Sequence, residues 1–423
     1  MSTTTESPHC DDIKTSPSMV FKRGQATRHG MLRRLVPVLL LLMLPHVGAT
    51  VPDRETLCTA WPDLVSDGDR MNESIAWQVS LGPRLPDSVA SKALLASVVE
   101  NNSGWTFHHD VHPFLNGSMT NLIAQYTPSG VARTDHIIAL GAHYDTRDRA
   151  EREAEEANQT QPIPGANDGA SGVAVVLEMM RLVPAMDLPH PVMVVLFDAE
   201  DQGPMPGLEG SRRWADNLSQ EEIGSIDAFL LLDMVGDADL NLARITSNSD
   251  SVAAPIPSLA EAVGLVAGTT ACDGSDGEDV YQHTTSTNII DDHINTQAVG
   301  IPSAVIIDHR YGDGATRLAD GHWHTLGDTP DKVSAESLAH VARLVELGLR
   351  TGAWQAPEPI EEEHTTTDIN DLTNEAVVAA PLLALVAVWT ALGLLTTAFV
   401  ASIVLLRRLR GSTSTNGVWS WDG

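Results

Sequence analysis

The chain has 423 residues, with 56 acidic and 26 basic side chains and a formal net charge of −30. This length allows one large domain or two modest ones. The charge excludes a nucleic-acid-binding protein, because phosphate backbones require a basic surface and the sequence contains no basic stripe. Three cysteines are too few for a disulfide scaffold. Two of them, Cys58 and Cys272, follow the predicted leader and can form one bridge or remain two buried thiols.

The N-terminal segment has the pattern of a secretory signal peptide. Arg33 and Arg34 precede the apolar run 35–44, which is too short to span a bilayer, and small residues up to Ala49 offer a cleavage site. A short N-terminal membrane anchor is the alternative. We expect residues 1–49 to be a polar leader and signal peptide.

The C-terminal segment predicts a membrane anchor. Residues 376–406 contain no charged side chain, and they exceed the roughly 20 residues that a spanning helix needs. Residues 407–410 are Arg-rich, so the positive-inside rule places the tail 407–423 in the cytoplasm and the main domain outside the cell membrane. The Pro-, Glu- and Thr-rich segment 351–375 is predicted to be a stalk. Five glycosylation sequons are compatible with an exported domain: Asn72, Asn101, Asn116, Asn158 and Asn217.

Between these ends, residues 50–350 are predicted to form one globular α/β domain. Hydrophobic periodicity predicts helices at 73–81, 88–100, 173–182, 208–218, 258–267 and 334–349. Strands are predicted at 106–112, 122–126, 137–142, 192–197, 229–232 and 304–307. Their alternation favours a mostly parallel, twisted central sheet that helices cover on both faces. The charged segment 147–161 has no apolar face and is predicted to be a surface loop.

Acidic and imidazole side chains repeatedly follow the apolar strands. In open α/β sheets, ligands bind at the carboxyl ends of the strands. Carboxylates that converge there repel one another unless a cation lies among them. Oxygen and imidazole ligands without thiolates favour zinc, manganese or cobalt. The acidic and imidazole side chains concerned include His143, Asp168, Asp201, Asp233 and His324.

Two further carboxylates have predicted catalytic roles. Asp145 lies two residues after His143, on the same face of an extended strand, where it can orient the imidazole ring. Glu200 precedes Asp201, and neighbours on an extended strand end point to opposite sides. One of the pair can therefore bind metal while the other faces the attacking water, takes its proton and delivers it to the leaving amine.

Five motifs follow one another along the chain: Gly141–Asp145, Ala166–Gly172, Ala199–Asp201, Leu232–Gly236 and His324–Thr325. In this order they resemble the motifs of the dinuclear zinc aminopeptidases of metallopeptidase clan MH, peptidase family M28. The resemblance covers roughly Ile75 to Leu349 and implies a zinc-exopeptidase-like fold acting on peptides with a free N-terminus.

The resemblance implies two zinc ions per chain. Asp168 would bridge them, His143 and Asp233 would complete one site, and Asp201 and His324 the other. Glu200 would be the general base and acid. The family usually has Glu where this chain has Asp201, and the shorter side chain puts the metal affinity of that site in question.

A second resemblance is to the glutaminyl-peptide cyclotransferases, a branch that uses a single zinc ion. The motifs Asp291–His293 and Trp323–Thr325 and the long stretch 202–209 are similar to that branch. The resemblance implies one zinc on Asp168, Asp201 and His324, with Glu200 moving a proton from the substrate amine to the leaving ammonia. Asp292, His293 and Trp323 are the candidate substrate contacts. A third interpretation is a non-catalytic, receptor-like ectodomain, although such relatives tend to have lost ligands.

Overall fold

The structure is a computed structural model that describes residues 51–131, 136–203, 207–312, 314–317 and 320–356. The predicted signal peptide, the span 376–406, the tail 407–423 and all of the stalk beyond residue 356 lie outside these residues. Within the described part of the chain, no helix is both long and apolar enough to cross a membrane. The anchor therefore stays a prediction.

The helices and strands follow the hydrophobic pattern closely. The helices are α1 Arg54–Ala60, α2 Gly68–Ser80, α3 Val89–Asn101, α4 Ala170–Leu182, α5 Glu209–Asn217, α6 Gln220–Ser225, α7 Asp250–Ala253, α8 Ile256–Ala262, α9 His293–Ala298 and α10 Ala335–Thr351. The strands are β1 Thr106–Phe114, β2 Gly117–Tyr126, β3 Ile137–His143, β4 Val192–Phe197, β5 Ile226–Asp233, β6 Leu242–Ile245, β7 Tyr281–Thr287 and β8 Ser303–Ile307.

Local signals explain several helix ends. The side chain of Ser88 accepts a hydrogen bond from the backbone of Ser91 and caps α3, and Ser334 caps α10 in the same way. The predicted helix 258–267 instead ends at Ala262. Gly264 follows with a φ of 82°, a left-handed conformation that terminates helices.

The central sheet is mixed rather than mostly parallel. Its six strands have the order β1-β2-β4-β3-β5-β8. Strands β4, β3, β5 and β8 are parallel neighbours, whereas β1 and β2 add an antiparallel extension to β4. The tight connection at Leu115 and Asn116 accounts for the antiparallel pair, because a parallel crossover requires about a dozen residues or more.

A second sheet was not predicted. It consists of β6 and β7, which pair in parallel. Strand β7 contains the polar run Gln282–Thr287, of which several side chains are exposed. Periodicity cannot identify a strand whose side chains are polar on both faces.

Helices cover both faces of the central sheet. Alternate residues of β5 enter different cores: Leu230 belongs to the core that also contains residues of α2, α3, α4, α8 and α10, whereas Phe229 and Leu231 belong to the core that contains residues of α5 and α6. This alternation follows from the two-residue period of a strand. On the first face, a disulfide joins Cys58 to Cys272, with an S–S distance of 2.04 Å, so the two cysteines form a bridge.

Candidate metal centre and active site

The predicted ligands meet at the carboxyl edge of the parallel strands. His143 is the last residue of β3 and Asp233 the last residue of β5. Asp201 follows β4, while Asp168 lies just before α4 and His324 in the connection before α10. Because parallel strands end at the same edge, residues far apart in the sequence converge there.

The ligands form two triads that share one carboxylate. In the first triad, His143 Nε2 lies 3.2 Å from Asp168 Oδ1 and 3.1 Å from Asp233 Oδ1. In the second triad, His324 Nε2 lies 3.0 Å from Asp201 Oδ1 and 3.8 Å from Asp168 Oδ2. Asp168 therefore presents one oxygen to each triad.

The spacing and chemistry of the triads fit zinc. In each, the ligand atoms all lie within 4.8 Å of one another. Tetrahedral zinc with ligand bonds of about 2.0–2.2 Å separates neighbouring ligand atoms by roughly 3.3–3.6 Å, close to the distances observed. Asp168 Oδ2 and Asp201 Oδ2 are buried and have no hydrogen-bond partner among the described residues. A cation would compensate these buried acceptors.

Burial and the neighbouring carboxylates shift the pKa values of His143 and Asp201 in the centre. Burial lowers the pKa of His143, but Asp145, Asp168 and Asp233 outweigh burial and raise that pKa well above its usual value. Burial, with the charge of Asp168, raises the pKa of Asp201 to about 6. Protonation of the His143 ring would partly offset the negative charge of the carboxylates around it.

Glu200 faces the first triad. Its side chain is 13% exposed, and its Oε2 lies 3.8 Å from His143 Nδ1. Burial, together with the charges of Asp201, Asp292 and Asp291, raises the pKa of Glu200 well above its usual range. A carboxyl group with a raised pKa is suited to accept and return a proton near neutral pH.

The Glu200–Asp201 pair lies on a bend, not on an extended strand end as predicted. Strand β4 ends at Phe197, and Ala199 has a φ of 55°. Left-handed backbone also occurs at Met234, with a φ of 44°, and at His324 itself, with a φ of 57°. Such non-glycine residues cost about 1–3 kcal/mol each and cluster at functional sites.

Asp145 has a wider role than predicted. It accepts hydrogen bonds from the backbone of Glu200 at 3.0 Å, the backbone of Asp201 at 3.2 Å and the side chain of Gln202 at 3.0 Å. Its Oδ1 lies 3.5 Å from His143 Nδ1, longer than a good hydrogen bond. Asp145 therefore holds the loop that carries Glu200 and Asp201, besides facing the imidazole ring.

Arg84 connects the segment after β3 with the loop before Asp168 by hydrogen bonds. It is fully buried and donates to the backbone carbonyls of Tyr144 at 3.0 Å, Pro164 at 3.0 Å and Gly165 at 2.6 Å. Sequence reasoning gave Arg84 no role, because nothing in an isolated Pro-Arg pair indicates three carbonyl partners.

Asp328 fixes the loop that carries the shared ligand. Its carboxylate accepts hydrogen bonds from the backbone of Asn167 at 2.8 Å and of Asp168 at 3.2 Å, and from the Tyr311 hydroxyl at 2.6 Å. Burial, with the charge of Asp168, raises the pKa of Asp328 to about 7. Sequence analysis missed this residue, whose partners lie far away along the chain.

The three candidate substrate contacts have different surroundings. Asp292 is fully buried, and its charge acts on Glu200. Trp323 is half-buried and stacks on the ring of His324, with 3.8 Å between the centroids. His293 is fully buried, and its Nε2 lies 3.2 Å from Ser247 Oγ. Contact of these three residues with substrate stays a prediction.

The fold and the shared-aspartate centre place the chain among metal-dependent α/β enzymes. Residues 121–347, more than half of the chain, match the model of peptidase family M28, and the chain therefore belongs to this family. This match confirms the resemblance that the motifs indicated. The chain thus belongs to the zinc exopeptidase and glutaminyl cyclase superfamily.

Similar proteins carry two different activities in their names. Aminopeptidase YwaD of Bacillus subtilis is 27% identical over 251 residues, which are 58% of this chain and 47% of that protein, so the chain spans about half its length. A glutaminyl cyclase from Bacteroides thetaiotaomicron, solved with N-acetylhistamine, has 27% identity and a TM-score of 0.55 and covers 68% of this chain and 98% of its own. A leucine aminopeptidase precursor from the same species has 26% identity and a TM-score of 0.55, with coverages of 71% and 99%.

Proposed function

We propose that the protein is an aminopeptidase that removes N-terminal residues from peptides with the help of two zinc ions. The observation that carries this proposal is the sharing of Asp168 between two buried and complete triads. His143, Asp168 and Asp233 would hold one ion, and Asp201 and His324 would hold the other together with Asp168. When bound, zinc supplies Lewis acidity that polarises the scissile carbonyl and eases deprotonation of water.

Glu200 carries the proton transfers in this proposal. Its carboxylate would accept a proton from the attacking water and deliver that proton to the nitrogen of the leaving amine, so that the peptide bond breaks as the new acid forms. The backbone amides that Asp145 holds keep Glu200 and Asp201 in a fixed relation to each other. Burial raises the pKa of Glu200, which favours its holding the proton before the return.

A glutaminyl-peptide cyclotransferase is the second candidate. It is favoured by the buried pair Asp291 and Asp292, whose charges act on Glu200, and by the Trp323 ring stacked on His324. In this reaction the α-amine of an N-terminal Gln attacks its own side-chain amide and ammonia leaves. Glu200 would move the proton from the amine to the ammonia, with one zinc ion on Asp168, Asp201 and His324.

Two peptides distinguish the reactions. The purified full chain is incubated with a Leu-initiated and a Gln-initiated peptide, zinc per chain is quantified, and the products are identified by mass. Loss of the first residue with about two zinc ions per chain supports the aminopeptidase. Loss of ammonia from the Gln peptide alone, with about one zinc ion, supports the cyclase. If zinc binds and neither peptide changes, both proposals are wrong and the receptor-like interpretation gains support.

The Glu200→Gln variant tests the proton transfer in either reaction. The amide cannot accept the proton, so turnover is expected to fall by about 10²–10⁴-fold while the zinc content stays the same. Glu221→Gln is the matched control, because Glu221 is exposed on α6. Undiminished activity in Glu200→Gln would refute the general-base assignment.

We also propose that residues 376–406 anchor the protein in the cell membrane, with the catalytic domain outside and the C-terminus in the cytoplasm. The uncharged stretch and the following arginines support this orientation. Fractionation of cells, followed by protease treatment of intact cells, tests it. Recovery of the chain in the soluble fraction, or a domain protected from external protease, would contradict the proposal.

A further inference from the structure

The charged segment that follows Asp145 is part of the metal centre. The sequence predicted a surface loop over 147–161, and most of its later residues are indeed exposed. At its beginning, however, the side chain of Arg147 is only 5% exposed, and Arg147 forms an i,i+4 ion pair with Glu151 at 2.8 Å. This pair contacts both ligands that are particular to the second triad.

Glu151 contacts the imidazole ring of the second triad. Its Oε1 lies 3.0 Å from His324 Nδ1, the ring nitrogen on the far side from the ligand atoms. The same carboxylate accepts a hydrogen bond from Arg147 Nε at 3.0 Å. With Nδ1–H donating to Glu151, the lone pair of Nε2 is directed toward Asp201 and Asp168.

Arg147 contacts the other ligand of this triad. Its Nη1 donates to the backbone carbonyl of Asp201 at 3.0 Å and to that of Gly203 at 3.0 Å. One ion pair therefore connects the imidazole of His324 with the loop of Asp201. The corresponding contact in the first triad is weaker, because His143 Nδ1 has no well-formed hydrogen bond and lies 3.5 Å from Asp145.

The next residues of the segment hold the backbone around His324. The Arg152 amide donates to the carbonyl of His324 at 3.3 Å, and Glu153 accepts from the amide of Leu326 at 2.8 Å. The Arg152 guanidinium also lies 4.3 Å from the ring centroid of Trp323. The left-handed backbone of His324 is thus supported on both sides of the ligand.

We propose that Arg147 and Glu151 are positioning residues that set the zinc affinity of the second site. The carboxylate fixes the tautomer and orientation of His324, and the guanidinium fixes the distance between that ring and Asp201. Carboxylate partners of this kind typically change metal affinity by about 10- to 100-fold. The inference rests on the proposed metal centre, but both candidate reactions use this triad, so it does not depend on which one the enzyme performs.

The test measures the zinc affinity of the full chain by competition with a chelator. Glu151→Ala removes the acceptor and the charge, and we expect the affinity of one site to fall about 10- to 100-fold while the other site keeps its affinity. Glu151→Gln keeps an acceptor oxygen and loses only the charge, so a smaller loss is expected. The visible spectrum of the cobalt-loaded chain should also change in Glu151→Ala, because the His324 ring is no longer held.

Arg149→Gln is the matched control, since it breaks the exposed pair with Asp148 in the same segment. It should leave zinc affinity and the cobalt spectrum unchanged. The unfolding temperature of the metal-free chain shows whether each variant is folded. If Glu151→Ala does not fold, the zinc affinity of Glu151→Gln tests the inference. Wild-type zinc affinity in both folded Glu151 variants would overturn this inference alone. A wild-type chain that binds no zinc would overturn the proposed function as well.

Discussion

The two triads of the metal centre share Asp168 but are built in different ways. In the first, His143 and Asp233 are the last residues of β3 and β5, which are paired neighbours in the parallel part of the sheet. In the second, Asp201 and His324 lie in connections outside the sheet. Backbone hydrogen bonds of a buried sheet hold His143 and Asp233, whereas mainly side-chain contacts, with one backbone hydrogen bond from Arg152 to His324, hold the second pair.

The two triads therefore differ in what holds their side chains in position. Ligands on strands inherit the rigidity of the sheet, and ligands on loops need supporting residues around them. The second triad accordingly has a larger set of supports: Asp145 on the amide of Asp201, Arg147 on its carbonyl, and Glu151 on the ring of His324. We expect substitutions outside the ligands to affect the second triad more than the first.

The largest expected effect is the simultaneous loss of both sites. Asp168→Asn removes the negative charge that the two triads share, so we expect both zinc affinities to fall and activity to be lost. Zinc per chain, measured after dialysis by elemental analysis, gives the stoichiometry, and turnover of the active peptide gives the activity. Asp216→Asn is the control, because Asp216 is an exposed residue of α5. Retention of the full zinc complement by Asp168→Asn would contradict the bridging role.

A substitution at Gly169, next to Asp168, should affect the zinc affinity of the two sites differently. A Cβ atom at Gly169 would lie 2.6 Å from the Nε2 and Cε1 atoms of His143 and 2.4 Å from its carbonyl oxygen. Gly169→Ala must therefore displace His143 or the backbone of residue 169, and we expect the first site to lose zinc affinity by at least about tenfold, whereas the second site loses less. Chelator competition with each zinc ion resolved is the measurement.

Gly104→Ala is the control for this substitution, since a Cβ atom there meets no atom within 4 Å. If Gly169→Ala weakens the second site as much as the first, the displacement is transmitted through Asp168, and the two triads do not behave as separately supported sites.

The sequence predicted the parts of the site that depend on local pattern. Apolar runs identified β3, β4 and β5, and the acids and the histidine at or just after their ends lie together because parallel strands finish at one edge of the sheet. The shared ligand Asp168 and the late His324 were assigned by resemblance to the family. The structure brings all five residues together in two triads, and their roles as zinc ligands stay a prediction.

The supporting residues could not be predicted, because their partners are distant in the chain. Glu151 and His324 are separated by 173 positions, and Asp328 lies 160 positions from Asp168. An arginine such as Arg84 is usually exposed, and its burial becomes intelligible only when three carbonyls are seen around it. Side-chain pairing over such distances leaves no periodic signal in a single sequence.

The two triads should also differ in how their zinc affinity depends on pH, and this effect is smaller than those of the substitutions above. In the ion-free protein, burial is outweighed by nearby carboxylates, which raise the pKa of His143 well above its usual value and raise that of His324 as well. Below these pKa values, zinc must displace a ring proton. Zinc affinity is therefore expected to rise by about tenfold per pH unit and per displaced proton until the pKa is passed.

The two sites should differ in the pH at which this rise ends. The pKa of His143 is raised more than that of His324. The zinc affinity of the first site should therefore keep rising at a pH where that of the second site is already constant. Asp201, with a pKa of about 6, should add a further loss at the second site in more acidic solution. Competition titrations from about pH 5.5 to about pH 9 measure both curves. If the two curves of zinc affinity against pH coincide, the pKa values of His143 and His324 do not differ as expected.

The smallest effect on either triad is expected from the disulfide. It closes a loop with a sequence separation of 214 residues and lies on a different part of the fold from the ligands. Replacing Cys58 and Cys272 by Ser should lower the free energy of unfolding by roughly 2–5 kcal/mol, because the unfolded chain gains conformational freedom. Zinc content and turnover at low temperature should stay at wild-type values, since the strands and loops that carry the ligands keep their contacts. Denaturant unfolding of the metal-free chain isolates the stability change from the metal. A selective loss of zinc from the second triad in this variant would show that its loops depend on the N-terminal part of the domain, and not only on Asp145, Arg147 and Glu151.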